Sequence, residues 1–242
     1  MSHSIETVDV HGSPMEVFLF RPDEGEGPFP GILLAQHIPV GHTGLENDEF
    51  TLKTAARLAE NGYLVAVPFI FHWWPKSDDM EVKRKESRDD WTVADLTHAY
   101  DLLAGRDDVD RDYIGIVGHC WGGRVAWLGA CHIPYFKVCV VFYGGNVKLA
   151  RGEGSTPPIE LAHLIRCPVI GFFGNEDTNP TPQEVDEYDQ ALKAAGVPHV
   201  FHRYDGAGHA FQCFTMPKVY REEQSEDAWD KLLGYLFQYL KE

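Results

Sequence analysis

The sequence predicts an α/β fold with a mostly parallel central sheet, an N-terminal antiparallel hairpin and helices on both faces. Three observations predict it. Short apolar segments alternate along the chain with segments of helical period, which is the pattern of a parallel sheet covered by helices. Most of these apolar segments are continuous, as in strands buried on both faces. The first two alternate instead, which is typical of a hairpin.

The elements follow in order along the chain. The opening hairpin is predicted over residues 5–10 and 15–20. Further strands are predicted at 31–35, 63–67, 113–117, 137–142, 168–173 and 199–204, and helices at 47–60, 91–104, 183–195 and 222–240. Residues 68–90 and 144–158 have no clear period. Both follow strand ends and are candidate pocket walls, although the first is equally explained as a solvated helix with aromatic anchors in the core.

Composition restricts the class of protein. No composition break divides residues 1–242, so a single domain is expected. The formal net charge of −16 disfavours nucleic acid and anionic membranes as partners, because both bind basic surfaces. No apolar run is long enough to span a membrane, and the N-terminus lacks the features of a secretory signal. The five cysteines form no Cys-x-x-Cys pair, so a reducing cytoplasmic location is expected.

One motif predicts a nucleophile. Gly118-His119-Cys120-Trp121-Gly122-Gly123 joins a predicted strand to a helical segment, which is the pattern of a nucleophile elbow with cysteine instead of the more usual serine. The turn is so tight that side chains two positions from the nucleophile must be almost absent, as at Gly118 and Gly122. A helix N-terminus favours the reactive thiolate. The alternative is a buried structural cysteine.

Two later motifs favour the catalytic interpretation. Gly174-Asn175-Glu176-Asp177 and Gly206-Ala207-Gly208-His209 each follow a predicted strand. The chain order of nucleophile, acid and histidine is typical of the α/β-hydrolase scaffold. We expect Cys120 to attack a carbonyl carbon, His209 to transfer protons and Asp177 to orient His209, with Glu176 as the rival acid.

Other candidate site residues lie near the same strand ends. The backbone N–H groups of Ile38 and Trp121 are the expected oxyanion donors. The candidates for binding substrate or modulating the site are His37, Phe69, Trp73, Trp74, Arg84, Arg88, Tyr143, Phe211 and Cys213. A metal site made of His37, His42 and His72 is a weak alternative, because the spacing matches no strong ligand pattern.

Taken together, these motifs resemble the dienelactone hydrolase family over nearly the whole chain. Residues 57–63 and Ala228-Trp229 add to the resemblance. It implies an α/β-hydrolase fold, a triad of Cys120, Asp177 and His209, and hydrolysis of a small ester or enol-lactone through a thioester, with no metal or cofactor. Two alternatives stay open: acyl transfer to an acceptor other than water, and a non-catalytic binding module. The oligomeric state is not indicated.

Two positions depart from the family pattern. His37 stands where members usually carry a glutamate that contacts the resting nucleophile, and Cys213 stands where the type member holds the substrate carboxylate with an arginine. Arg84 and Arg88 are the candidate replacement cations. We therefore expect a more apolar substrate than dienelactone. We also expect His37 either to stabilise the thiolate of Cys120 or only to fill space and donate a hydrogen bond.

Overall fold

A computed structural model describes residues 3–38 and 44–241, and the described residues form one eight-stranded sheet. The strands are β1 (Ser4–Val10), β2 (Ser13–Phe20), β3 (Phe29–Ala35), β4 (Leu64–Pro68), β5 (Val109–His119), β6 (Cys139–Phe142), β7 (Val169–Gly174) and β8 (His199–Tyr204). Their spatial order is β1-β2-β4-β3-β5-β6-β7-β8. The pairs β1–β2 and β2–β4 are antiparallel and all later pairs are parallel. The predicted α/β class and hairpin are therefore confirmed.

The described part of the chain contains six α-helices. They are α1 (Glu49–Glu60), α2 (Met80–Glu86), α3 (Asp89–Ala104), α4 (Trp121–His132), α5 (Pro182–Ala195) and α6 (Glu222–Leu240), with 3-10 helices at Leu45–Asn47 and Pro158–Leu164. Five of the six, all but α2, pack against this sheet. Helix α1 starts two residues later than predicted because the side chain of Asp48 caps it, accepting the Thr51 N–H. Helix α2 was not assigned from the sequence. Lys83 is its one buried residue, so it lacks the apolar stripe that reveals most helices.

The strand register brings the chemically active segments to one edge of the sheet. Ala35 pairs with Gly118, His119 with Phe142, and Gly174 with Tyr204. The chain therefore leaves β3, β5, β6, β7 and β8 at neighbouring points on their carboxyl side, where ligands of open α/β sheets bind.

A buried polar relay fastens the N-terminal hairpin at this same edge. Ser13 Oγ lies 2.8 Å from His72 Nδ1, and His72 Nε2 lies 2.8 Å from Asp95 Oδ1 on α3. These three residues are called the hairpin relay below. No helix in residues 3–38 or 44–241 combines the length and apolar character that crossing a bilayer requires.

Candidate active site

Cys120 lies at the junction of β5 and α4 in a strained backbone conformation. Its φ is +55° and its ψ is −119°, a region that non-glycine residues rarely adopt. Its N–H donates to the Phe142 carbonyl oxygen at 3.0 Å. A Cβ atom on Gly118 would overlap the Gly122 carbonyl oxygen, and one on Gly122 would overlap that of Ala35. Glycine is thus required at both positions, because neighbouring backbone atoms occupy the space that a Cβ atom would need.

His209 links the Cys120 sulfur to a buried carboxylate. Its Nε2 lies 3.1 Å from Cys120 Sγ, and its Nδ1 lies 3.0 Å from Asp177 Oδ2. Asp177 is 4% exposed, and its Oδ1 accepts the Asn179 N–H at 2.8 Å. Glu176 is exposed to solvent. The structure therefore brings Asp177, rather than Glu176, to the histidine. These three residues are called the Cys120 relay below.

The surroundings of His209 stabilise its charged form. Burial disfavours the imidazolium, but the hydrogen bonds and charges of Asp177 and Cys120 outweigh burial and raise the pKa of His209 to about 10. The raised pKa favours the protonated ring, in which both ring nitrogens are donors. A proton on Nε2 is within reach of the place where the departing oxygen of an ester would need it.

The other four thiols are in environments that suppress reactivity. Burial raises the pKa of Cys131 and of Cys167 to about 12, and it also raises the pKa values of Cys139 and Cys213. All four are buried, whereas Cys120 is partly exposed. Cys120 is therefore the thiol with access to solvent.

His119 and the aromatic residues behind the elbow form a neutral layer. His119 is 2% exposed, stacks on Phe142 and shares a hydrogen bond of 2.9 Å with Gln212. Burial lowers the pKa of His119 to about 3. Tyr143 contacts the rings of both His209 and Phe211 at 5.3 and 5.4 Å. This layer packs against His209 and leaves His119 neutral at neutral pH.

A cavity of about 380 Å³ opens at the Cys120 relay. It is lined by Ile38, Arg84, Cys120, Trp121, Arg124, Gly145, Asn146, Asp177, Thr178, Asn179 and His209. A larger cavity of about 750 Å³ lies at the opposite edge of the sheet, near Tyr135 and Lys137. It contains none of the elbow or relay residues, so the smaller cavity is the one relevant to chemistry.

The expected oxyanion donors lie in the lining of this cavity. Trp121 is the first residue of α4, where an N–H has no acceptor inside the helix. Ile38 follows β3, and its N–H makes no hydrogen bond with any described residue. Arg84 also lines the cavity, and its guanidinium has no carboxylate within ion-pair distance in the described part of the chain.

Several predicted substrate-binding residues lie away from this lining. Trp73 donates its indole N–H to Asp95, and Trp74 donates to Glu86. Both pack on Trp91, at ring distances of 4.8 and 5.7 Å. The expectation of an aromatic pocket wall is therefore not met at these two tryptophans, because their polar atoms and ring faces are used within the protein.

Phe69 and Arg88 are likewise engaged elsewhere. Phe69 is 2% exposed, and the Lys76 ammonium lies 5.5 Å from its ring centre. Arg88 forms a bidentate pair with Asp90 at 2.9 and 2.6 Å. Of the two candidate cations, Arg84 is thus the one that reaches the cavity.

The two positions that depart from the family pattern also have partners inside the protein. His37 Nε2 lies 2.8 Å from Asp48 Oδ1. Cys213 Sγ lies 3.2 Å from Thr215 Oγ1. Residue His42 lies outside the described residues. Within residues 3–38 and 44–241, no cluster of three or more His, Cys, Asp or Glu side chains has the arrangement of a metal site.

Sequence reasoning did not name five of the residues that line the cavity, which are Arg124, Gly145, Asn146, Thr178 and Asn179. Asn179 and Thr178 directly follow Asp177, so the acid motif extended by two residues could have included them. Asn146 lies in a segment without period. Arg124 lies four residues after Cys120, and its position inside a helical segment gave no sign that it lines the cavity.

Comparisons with known proteins identify the family of this chain. Residues 15–240 match the dienelactone hydrolase family. The "Putative carboxymethylenebutenolidase" of Salmonella typhimurium is 30% identical over 99% of this chain and 88% of its own length. The "Carboxymethylenebutenolidase" of Rhodococcus opacus is 30% identical over 77% of this chain and 74% of its own. The crystal structure of a "Putative Dienelactone Hydrolase" from Klebsiella pneumoniae superposes with a TM-score of 0.83, at 29% identity, covering 99% of this chain and 100% of the other.

Proposed function

Because this chain belongs to the dienelactone hydrolase family, we propose that it hydrolyses small esters or lactones with Cys120 as nucleophile and a thioester as intermediate. The family and its α/β-hydrolase fold make the chain a hydrolase of carboxylic ester or lactone bonds. The observation that carries the cysteine mechanism is the Cys120 relay, with contacts of 3.1 and 3.0 Å, at the mouth of a cavity.

The first half-reaction forms the thioester. Cys120 sulfur attacks the carbonyl carbon, forming the S–C bond and moving the C=O π electrons onto oxygen. When the tetrahedral intermediate collapses, the C–O bond to the alkoxide breaks, and His209 Nε2–H protonates the departing oxygen. In a lactone this oxygen stays tethered to the acyl group as a hydroxyl.

The second half-reaction releases the acid. Neutral His209 removes a proton from a water molecule as the water oxygen attacks the thioester carbon. The C–S bond then breaks, the sulfur leaves as thiolate, and His209 keeps the proton that it needs for the next cycle. Asp177 holds the ring by its Nδ1–H throughout and stabilises the imidazolium.

The developing oxyanion requires two converging donors, and the N–H groups of Trp121 and Ile38 are our candidates. Both residues line the cavity beside Cys120. One such donor is worth about 10²–10³-fold in kcat. The N-terminus of α4 adds a favourable partial charge at the same place.

We further propose that Arg84 binds an anionic group of the substrate, most simply a carboxylate. Arg84 lines the cavity and has no carboxylate partner among the described residues, whereas Arg88 pairs with Asp90. Guanidinium–carboxylate contacts are charge-assisted and often bidentate. This proposal replaces the expectation of a more apolar substrate, which depended on Cys213 and on the aromatic residues of segment 68–90.

An activity screen tests the function. Aryl esters, alkyl esters and lactones are assayed with the wild type and with Cys120→Ala, and rapid-quench mass spectrometry follows the acyl-enzyme. We expect an acyl adduct in the wild type and none in the variant, with the free acid as product even when hydroxylamine is added at low concentration. Turnover retained by Cys120→Ala would exclude the mechanism, and a dominant hydroxamate product would favour acyl transfer.

A second comparison tests Arg84. Arg84→Gln should raise KM about tenfold for a carboxylate-bearing ester, the order expected for an exposed charge-assisted contact, and leave its neutral analogue unchanged. Lys85→Gln removes a neighbouring exposed charge that does not line the cavity and serves as the control. Equal effects of the two variants would exclude Arg84 as a binding residue.

A further inference from the structure

A buried ion pair lies behind one wall of the cavity. Arg124 on α4 donates from Nη1 to Asp89 Oδ1 at 2.6 Å and from Nη2 to Asp89 Oδ2 at 3.1 Å. The two side chains are 2% and 7% exposed. Removing both charges from water is costly, so a buried pair of this kind contributes little net stability. What the pair does provide is a fixed, bidentate contact between α4 and the start of α3.

The remaining hydrogen-bonding atoms of the pair hold one loop. Arg124 also donates to the carbonyl oxygens of Asn146 and Leu149, at 3.1 and 2.5 Å. Asp89 Oδ2 accepts the Arg151 N–H at 2.9 Å, and the Asp89 N–H donates to the Arg151 carbonyl at 2.8 Å. The loop of residues 144–151, called the strap below, is thus fastened at two points to Arg124 on α4 and at a third to Asp89 at the start of α3.

The strap in turn fixes parts of the cavity. Gly145 and Asn146 line it directly. At the other end of the strap, the Arg151 guanidinium lies 4.4 Å from the ring centre of Trp121. Arg151 Nη1 donates to the Arg84 carbonyl oxygen at 2.8 Å and to Ser87 Oγ at 3.3 Å. A continuous set of polar contacts therefore runs from Arg124, through the strap, to the backbone of Arg84.

We propose that Asp89 and Arg124 are a positioning pair that sets where the cation of Arg84 stands relative to Cys120, and so determines selectivity for anionic substrates. The proposal rests on the proposed function, because it requires both Cys120 chemistry and an anion at Arg84. Arg124 itself does not bind the anion: Asp89 neutralises it, and each of its three guanidinium nitrogens already donates to a protein acceptor. Its part is to keep α4, the strap and the end of α2 in one arrangement.

The test uses pairs of substrates that differ only in a carboxylate. Asp89→Asn keeps the shape of the side chain but removes its charge, and Arg124→Lys keeps the charge but removes the fork. Each should raise KM for the carboxylate-bearing ester about tenfold, with kcat changed less than twofold and with little effect on the neutral ester. Asp90→Asn, in the exposed pair beside Asp89, is the matched control and should change neither substrate.

A third variant keeps the proposal testable if the two variants of the buried pair fail to fold. Arg151→Met breaks the link to Arg84 without leaving a buried charge unpaired, and it should reproduce the selective rise in KM. In the background of Arg84→Gln, none of these substitutions should raise KM further, because the cation that they position is already absent. Equal losses for both substrates, or additive effects with Arg84→Gln, would overturn the positioning role.

Failure of the proposed cysteine mechanism would give different results from failure of the positioning pair. If the wild type hydrolysed neither ester, or if Cys120→Ala hydrolysed both, the cysteine mechanism would fail before the variants were compared. A wild type that hydrolyses both esters through Cys120, with unchanged selectivity in Asp89→Asn and Arg151→Met, would overturn the positioning pair alone.

Discussion

Two side-chain relays lie at the same edge of the sheet, and each joins a thiol or hydroxyl group to a histidine and a carboxylate. Their hydrogen-bond distances are similar, but their surroundings differ. The Cys120 relay has contacts of 3.1 and 3.0 Å, and the hairpin relay has contacts of 2.8 and 2.8 Å. The ring nitrogens are exchanged: Nε2 faces the sulfur in the first, whereas Nδ1 faces the serine in the second. Hydrogen-bond geometry alone would rank the hairpin relay higher.

The surroundings separate the two relays. The His209 side chain is 35% exposed and lines the cavity at Cys120, whereas that of His72 is 2% exposed, and neither Ser13 nor His72 is among the residues that line that cavity. Cys120 has positive φ at a helix N-terminus, whereas Ser13 begins a regular strand. The difference teaches that access to a cavity, backbone strain at Cys120 and nearby N–H donors, rather than short hydrogen bonds, favour the Cys120 relay as the proposed active site.

The largest effect should come from breaking the Cys120 relay at its sulfur. Cys120→Ala removes the nucleophile, and kcat/KM should fall by about 10⁴-fold or more, as when the nucleophile of a catalytic triad is lost. Circular dichroism should show an unchanged fold. Iodoacetamide should modify Cys120 before the four buried cysteines, because burial raises their pKa values. Turnover that survives in the alanine variant would contradict the assignment.

Asp177→Asn should have the next largest effect, about 10²–10⁴-fold on kcat/KM. The charge of Asp177 helps raise the pKa of His209 to about 10. Activity that needs the imidazolium should therefore decline as pH rises through about 10 in the wild type, and at lower pH in the variant. Profiles of kcat/KM against pH, measured for both proteins, locate this loss of activity. If the wild type and the variant lost activity over the same alkaline pH range, the Asp177 carboxylate would not be what raises the pKa of His209.

Ser13→Ala should change stability rather than activity. The substitution leaves the buried Nδ1 of His72 without its partner, which costs about 1 kcal/mol. For a chain of this length, that corresponds to a fall in Tm of about 2–4 °C. Thermal unfolding and kcat/KM are measured on the same preparation. A loss of activity without a loss of stability would mean that the hairpin relay has a chemical role.

His209 should make a stability contribution that depends on pH. Its pKa is raised in the folded state, so the stabilisation is complete below the ordinary histidine value of about 6.5. It is then lost as pH rises through about 10. The difference in Tm between the wild type and His209→Asn should shrink across this window. Growth of the difference with rising pH would contradict the sign of the shift.

The smallest effect is expected at His37. Its Nε2 is engaged with Asp48, so the ring orientation that was invisible in the sequence is fixed by a carboxylate rather than by the nucleophile. If His37 nevertheless stabilises the thiolate, alkylation of Cys120 should be faster at mildly acidic pH in the wild type than in His37→Ala and His37→Glu. Three identical rate profiles against pH would remove His37 from activation.

The parts of the site that could be predicted from sequence are those with local causes. The elbow was recognisable because tight backbone contact demands Gly118 and Gly122 within four residues of each other. Asp177 and His209 follow strands at the same edge, and the strand pattern itself is local. Each of these features needs only a short window of sequence to be visible.

The parts that could not be predicted depend on distant partners. Arg124 and Asp89 are 35 residues apart, and the strap reaches both only after the fold has formed. Asp48 lies 11 residues after His37, beyond residues 39–43. Trp73 and Trp74 were placed near the pocket by their position after β4, but Asp95 and Glu86 hold their indole groups instead. Tertiary hydrogen bonds of this kind leave no periodic pattern in the sequence.

Arg84 is an exposed, positively charged residue at the cavity of a protein whose formal net charge is −16. An anionic substrate is therefore repelled at long range and attracted only near the end of its approach. Salt screens the long-range repulsion first, since the Debye length is about 10 Å at 0.1 M ionic strength. The rate of substrate capture should then rise with added salt before it falls, the reverse of the simple decline seen when a whole surface steers its ligand inward.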